Sequence, residues 1–145
     1  MEREYGPEIR TGHAAEMLVE ADLLLQGIVP IRVLHKYPWD LLVPFEQGFK
    51  KLQVKAVSGP RMDGPWPGTL QWSLRKGKTR VAYEVGEIDV FALVALDTRK
   101  IAYITSEKLT RPQGIITTVN MKVEEMDDHA VWPYLAPTPN QPPVH

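Results

Sequence analysis

The stretch IDVFALVAL, residues 88–96, holds one charge and is otherwise apolar. Such a strand has no face to give to water, so it suits the centre of a sheet covered on both sides. Other segments of the chain must therefore supply flanking strands and covering layers.

A helix is predicted from about Gly12 to Gln26, capped by Thr11 and stopped by Gly27. Its apolar residues at helical spacing are Ala14, Met17, Leu18, Ala21, Leu24 and Leu25, with Glu16 and Glu20 one turn apart on the flank. Strands are predicted at IVPIRVL (28–34), where Pro30 argues for an edge, and at DLLVPF (40–45) and KLQVKAV (51–57), joined as a hairpin. The Pro- and Gly-rich SGPRMDGPWPG (58–68) is a loop. TLQWSL (69–74) and TRVAYEV (79–85) flank RKGK and predict a second hairpin, or an arm with a basic tip. IAYIT (101–105) and ITTVNMKV (116–123) complete the strands. Five prolines from Pro133 to His145 predict a disordered tail beyond a folded domain of residues 1–132. The order implies an α/β (α+β) domain built on a mixed sheet.

A chain of 145 residues makes a single domain. With no cysteine, disulfides, thiolate metal sites and cysteine nucleophiles are excluded. No apolar run approaches the roughly 20 residues of a membrane helix. The opening MEREYGPEIR lacks the apolar core of a signal peptide, so a cytoplasmic protein without a membrane partner is expected. The net charge of −1 conceals a polarised chain. Lys50, Lys51, Lys55, Arg61, Arg75, Lys76, Lys78 and Arg80 face a single acid, Asp63, between residues 50 and 80, whereas Glu124, Glu125, Asp127 and Asp128 crowd together later.

In LQVKAV (52–57), Leu52, Val54 and Ala56 share one strand face and Gln53 and Lys55 the other. An amide and an ammonium two residues apart suit either a half-exposed strand or a site. Asp40 opens the partner strand of the hairpin, where its side chain can face the same side. A carboxylate and an amide oxygen suit a hard cation such as Mg²⁺, and Glu16 would add a second anionic oxygen. Lys55 cannot ligate a cation, but it can steady a water and the charge developing on a phosphate. Several residues keep two readings each. Glu20 competes with Glu16 for the helix position. Glu87 and Asp89 are alternative carboxylates or ion-pair partners of the basic segment. His13 and His35 are phosphate contacts or surface residues. Trp66 and Trp72 stack on bases or pack in the core.

GHAAE (12–16), the lone acid of YPWDLL (37–42) and QVK (53–55) together resemble the PD-(D/E)XK nuclease superfamily. Two branches look close. The archaeal-type, phage-carried Holliday junction resolvases share the small size and the early helix glutamate. The group I intron-associated endonucleases share QVK and a segment like GEIDVFALVALDTRKIAYI (86–104). The resemblance implies a restriction-endonuclease-like core, a central mixed sheet flanked by helices. It implies a Mg²⁺ site, with Mn²⁺ able to substitute, at Glu16, Asp40, Gln53 and the Val54 carbonyl. Lys55 would position or activate the water that displaces the 3′ oxygen and leaves a 5′ phosphate. Arg10, His13, Lys50, Lys51, Arg61, Arg75, Lys76, Lys78 and Arg80 would contact DNA. Two departures stand out: Trp39 separates Pro38 from Asp40, and Gln53 replaces the commoner carboxylate. The expected substrate is branched or four-way DNA, cut by a homodimer for repair or recombination. The alternatives are a site-specific, intron-type homing endonuclease and a catalytically silent DNA-binding module.

Overall fold

The computed structural model of the chain describes residues 6–33, 37–77 and 79–135, so expectations about His35, Lys78 and residues 136–145 lie outside the described residues. The apolar segment forms strand β5 (Val90–Ala95), all six residues of which are buried. The hairpin expected from sequence supplies β2 (Leu41–Phe45) and β3 (Gly48–Val57), and β6 (Lys100–Thr105) follows β5. With β1 (Ile31–Arg32) they make a five-stranded sheet ordered β1-β2-β3-β5-β6. The β3–β5 pair is parallel and the others are antiparallel, so the sheet is mixed. Among the described residues of the first predicted strand, only Ile31 and Arg32 pair, at the sheet edge.

Alternation along β5 divides the core. Val90, Ala92 and Val94 pack with Leu52 and Val54 against helix α1 (Pro7–Leu25) and Trp132. Phe91, Leu93 and Ala95 pack on the opposite side against Leu70, Trp72, Tyr83 and Met126.

Helix α1 departs from its sequence-based reading in two respects. It starts at Pro7 with Gly6 as N-cap, because proline fits the first helical position; Thr11 lies inside the helix and does not cap it. Its buried residues are Ala15, Val19 and Leu23, whereas Met17 is 60% and Leu25 88% exposed. The helix is apolar on two sides, so spacing alone could not choose between them. The side with the smaller residues lies on the sheet, and it carries Glu16 with it.

The predicted hairpin of 69–74 with 79–85 does not form. Strand β4 (Leu70–Ser73) pairs instead with β9 (Thr118–Met121), leaving a single bridge between Arg75 and Ala82. The cause is burial. Leu70 and Trp72 alternate inward beside Val119 and Met121, while Val81 and Val85 remain exposed. β7 (Thr110–Arg111) and β8 (Gly114–Ile115) form a small hairpin that the sequence did not reveal. Tyr134, assigned to the proline-rich end, packs its ring 5.0 Å from Phe45 and 6.0 Å from Trp132, so ordered packing extends past residue 132. Among the described residues no helix is long and apolar enough to cross a membrane.

Candidate active site

Asp40 is fastened to β3 from both its backbone and its side chain. Its N–H donates to the Leu52 carbonyl at 2.9 Å, and its Oδ2 accepts the Val54 N–H at 2.9 Å. Helix α1 brings Glu16 to the same point, where its carboxyl and that of Asp40 line one small cavity and influence each other. Two carboxylates this close and largely shielded from water cannot both stay ionised cheaply. Burial first, and then the Glu16 charge, push the Asp40 carboxyl up to about 7, against the pull of the Val54 N–H. Burial likewise raises Glu16. The pair lines a small cavity of about 80 Å³ with His13, Arg32, Val33, Tyr37 and Trp39.

The opposite face of β3 supplies the amide and the ammonium. Gln53 Oε1 is buried without a hydrogen-bond partner among the described residues, and its Nε2 makes only a long 3.5 Å contact to the Val54 carbonyl. Lys55 Nζ donates to the Arg75 carbonyl at 2.6 Å and lies 5.3 Å from the Tyr83 ring centroid. Burial pushes this ammonium below the usual lysine range, and the Asp40 charge offsets part of that. Burial also keeps the Tyr83 phenol protonated, raising it further beyond its ordinary range.

The structure thus separates the competing acids. Glu20 is held by Arg32 in a two-pronged pair of 2.8 and 2.9 Å, leaving Glu16 to meet Asp40. Glu87 pairs with Lys76 at 2.6 Å; partial burial pushes it up, but Lys76 and the Glu84 N–H hold it below the usual range. Asp89 accepts the Lys51 N–H at 2.8 Å. His13 Nδ1 stands 3.8 Å from Glu16 at the cavity rim.

The basic residues do not form one patch. Arg75 is next to the site through its carbonyl, and its guanidinium donates to the Arg80 carbonyl at 3.0 Å. Lys50 lies over Phe45 and Tyr134, Lys51 faces Trp39, and Arg61 bonds Gln71. Arg10 lines a separate groove with Met17, Leu18 and Arg99. Trp72 is core, whereas Trp66 is 72% exposed.

Sequence reasoning missed Tyr83 beneath Lys55 and the stacked Tyr37–Trp39 pair, whose ring centroids lie 5.0 Å apart. The aromatic cluster YPW beside Asp40 was its only signal. Trp39 Nε1 is a second buried polar atom without a partner among the described residues.

Among the described residues no three His, Asp or Glu side chains are grouped so as to hold a metal ion on their own. The oxygens in this region are the two carboxyls that line the cavity and, on the neighbouring strand β3, the orphaned amide oxygen of Gln53 and the Val54 carbonyl. An all-oxygen set that relies on waters for the rest fits Mg²⁺ better than a nitrogen- or sulfur-seeking metal.

The sequence profile of the PD-(D/E)XK endonucleases matches residues 8–131. The chain belongs to the PD-(D/E)XK endonuclease family. The mixed sheet with its flanking helix is the core of this nuclease fold. A solved bacterial homing endonuclease, I-Ssp6803I, superposes on this endonuclease with a TM-score of 0.60 at 12% identity, over 82% of this chain and 77% of the other. No curated protein matches the sequence closely enough to count as a relative.

Proposed function

We propose that this endonuclease hydrolyses phosphodiesters of duplex DNA at preferred sites with Mg²⁺, using Glu16, Asp40, Gln53 and Lys55. The carrying observation is the interacting pair of Asp40 and Glu16 carboxyls, with Asp40 fastened to β3, the strand whose Gln53 Oε1 is buried with no protein partner among the described residues. Asp40, Glu16, Gln53 Oε1 and the Val54 carbonyl would hold the cation, and Mn²⁺ would fit the same oxygens. When bound, it supplies Lewis acidity toward the phosphate and acidifies water.

The remaining work falls to the chain. Asp40 and Glu16, costly to ionise side by side, would hold the cation as carboxylates and be neutralised by it. Lys55 Nζ, whose burial favours the uncharged amine, would position the attacking water and balance charge on the phosphate. The Arg75 carbonyl and the Tyr83 ring orient it. Attack in line would expel the 3′ oxygen and leave a 5′ phosphate. One chain has one such site, so cutting both strands calls for a homodimer.

For the substrate, the solved homing endonuclease of the same fold and the polar outer face of the β4–β9 ribbon favour a duplex read at particular positions. A second reading is four-way or branched DNA. It rests on the exposed Arg75 and Arg80 beside the site, which would recognise backbone geometry without reading sequence. Incubation with labelled linear duplex and with a four-way junction, each in Mg²⁺ and in chelator, tests both. Cleavage only with metal, yielding ligatable 5′-phosphate ends, is expected; cleavage that persists in chelator would refute the proposal.

A further inference from the structure

The β4–β9 ribbon carries a feature that cleavage does not require. Its inner residues are the core side chains Leu70, Trp72, Val119 and Met121, but its outer face is Gln71 opposite Asn120 and Ser73 opposite Thr118. All four are uncharged side chains with hydrogen-bonding groups. At one end of this face the loop after β3 brings up Arg61 and Trp66. Together with Asp63, Pro65, Thr69, Gln71 and Asn120 they line a cavity of about 280 Å³, in which Arg61 Nε also pairs with Asp63 at 3.4 Å. On its other side Trp66 borders a second cavity of about 250 Å³ with Asn120 and Lys122.

An indole 72% exposed between two cavities has no packing reason to be there. Arg61 holds the Gln71 carbonyl oxygen, which leaves the Gln71 NH₂ as a donor. The Asn120 side chain is exposed and lines the same hollow as Trp66. A π face, two amide edges and a guanidinium around one hollow match a heteroaromatic ring with a hydrogen-bonding rim. Asn and Gln pair with the N6 and N7 edge of adenine, Arg pairs with guanine, and tryptophan stacks on any base.

We infer that Arg61, Trp66, Gln71 and Asn120 form a nucleobase-binding site, separate from the catalytic centre, that reads one base of the bound DNA. The inference rests on the duplex-DNA reading above. Its position follows from the chain. Arg75, whose carbonyl holds Lys55, lies four residues beyond Gln71. At about 3.3 Å per extended residue that is roughly 13 Å, or about four base steps from the scissile phosphate. The base can come from a groove edge of paired DNA, since a two-stranded ribbon fits the major groove, or from a nucleotide already unpaired.

Full-length wild type, Trp66→Ala and the double variant Gln71→Ala/Asn120→Ala decide the matter with two probes. A randomised duplex library, cut and sequenced, reads groove recognition. Fluorescence titration of a duplex with one unpaired 2-aminopurine, against the fully paired control, reads an extrahelical base. With groove recognition, the double variant loses base preference at one or two positions within about four steps of the cut, and its salt slope is unchanged. With an unpaired base, wild type prefers the bulged duplex and Trp66→Ala loses that preference by about ten-fold. If neither variant shifts the cut profile or the bulge preference by more than about two-fold, within ordinary surface-mutation scatter, the site does not exist. Because titration needs no cleavage, a chain that binds but does not cut would refute the proposed activity and still leave this inference testable.

Discussion

Asp40→Asn should make the metal-free protein more stable at alkaline pH while abolishing cleavage. In the folded chain the Asp40 carboxyl titrates at about 7 instead of its ordinary 3.8, because it is buried beside Glu16. Between those values the folded state keeps a proton that the unfolded chain releases. Stability therefore falls as pH rises from about 4 to 7 and stays low above. At about 1.4 kcal/mol per pH unit the full cost is roughly 4 kcal/mol. The interaction with Glu16 divides it between the two, so about 2–4 kcal/mol is expected at Asp40. Asparagine keeps the shape and an oxygen for the Val54 N–H, but carries no charge at any pH. For a domain of this size about 1 kcal/mol moves Tm by roughly 3 °C, which predicts a rise of roughly 6–12 °C at pH 8.5 in chelator. At pH 4.5 the gain should shrink to about 1 kcal/mol, since little of the window has been crossed. Mg²⁺ should then raise the Tm of wild type at pH 8.5 but not that of the variant, because only a cation bound to the folded state stabilises it. Scanning calorimetry at both pH values, with and without Mg²⁺, measures all of this. A variant less stable than wild type at pH 8.5 without metal would refute the reasoning.

Further outcomes follow from the same structure. Gln53→Glu places a third carboxylate at the donor cluster, so it should lower Tm in chelator and reduce the Mg²⁺ needed for half-maximal cleavage by about ten-fold; inactivity at every Mg²⁺ concentration would remove Gln53 from the donor set. Wild-type affinity for Mg²⁺, measured by calorimetry, should rise as pH climbs toward about 7, the Asp40 value, and then level, because the carboxyl pair must lose its proton first. Replacing Arg75, Lys76, Lys78 and Arg80 by Ala should flatten the log–log salt dependence of DNA binding by about 0.9 per lost phosphate contact, and Lys55 should stay in place because the Arg75 carbonyl remains. Deleting residues 136–145 should leave Tm nearly unchanged, whereas Tyr134→Ala, which removes ring contacts to Phe45 and Trp132, should cost about 1–3 kcal/mol.

What could be read from the sequence was whatever local chemistry alone decides. The unbroken apolar run 88–96 could only be a central strand, and Leu52/Val54 against Gln53/Lys55 fixed which face of β3 met the helix. The helix face could not be read, because Met17 and Leu24 on one side are as apolar as Val19 and Leu23 on the other; only the sheet decides between them. The partner of β4 was hidden for a related reason. Thr118–Met121 lies 45 residues beyond Ser73, while TRVAYEV was the nearest segment with strand composition. Glu16 and Glu20 are equivalent in composition, and Arg32 separates them by occupying Glu20. The basic segment looked remote from the hairpin in sequence, yet its Arg75 carbonyl holds Lys55.

The central claim is that Lys55 acts at the chemical step of a Mg²⁺-dependent cut, and single-turnover cleavage of supercoiled plasmid DNA by wild type and Lys55→Ala tests it most directly. With DNA binding checked by titration in Ca²⁺, the rate should fall by about 10²-fold or more while affinity changes only a few-fold. Cleavage by Lys55→Ala at the wild-type rate would contradict the account.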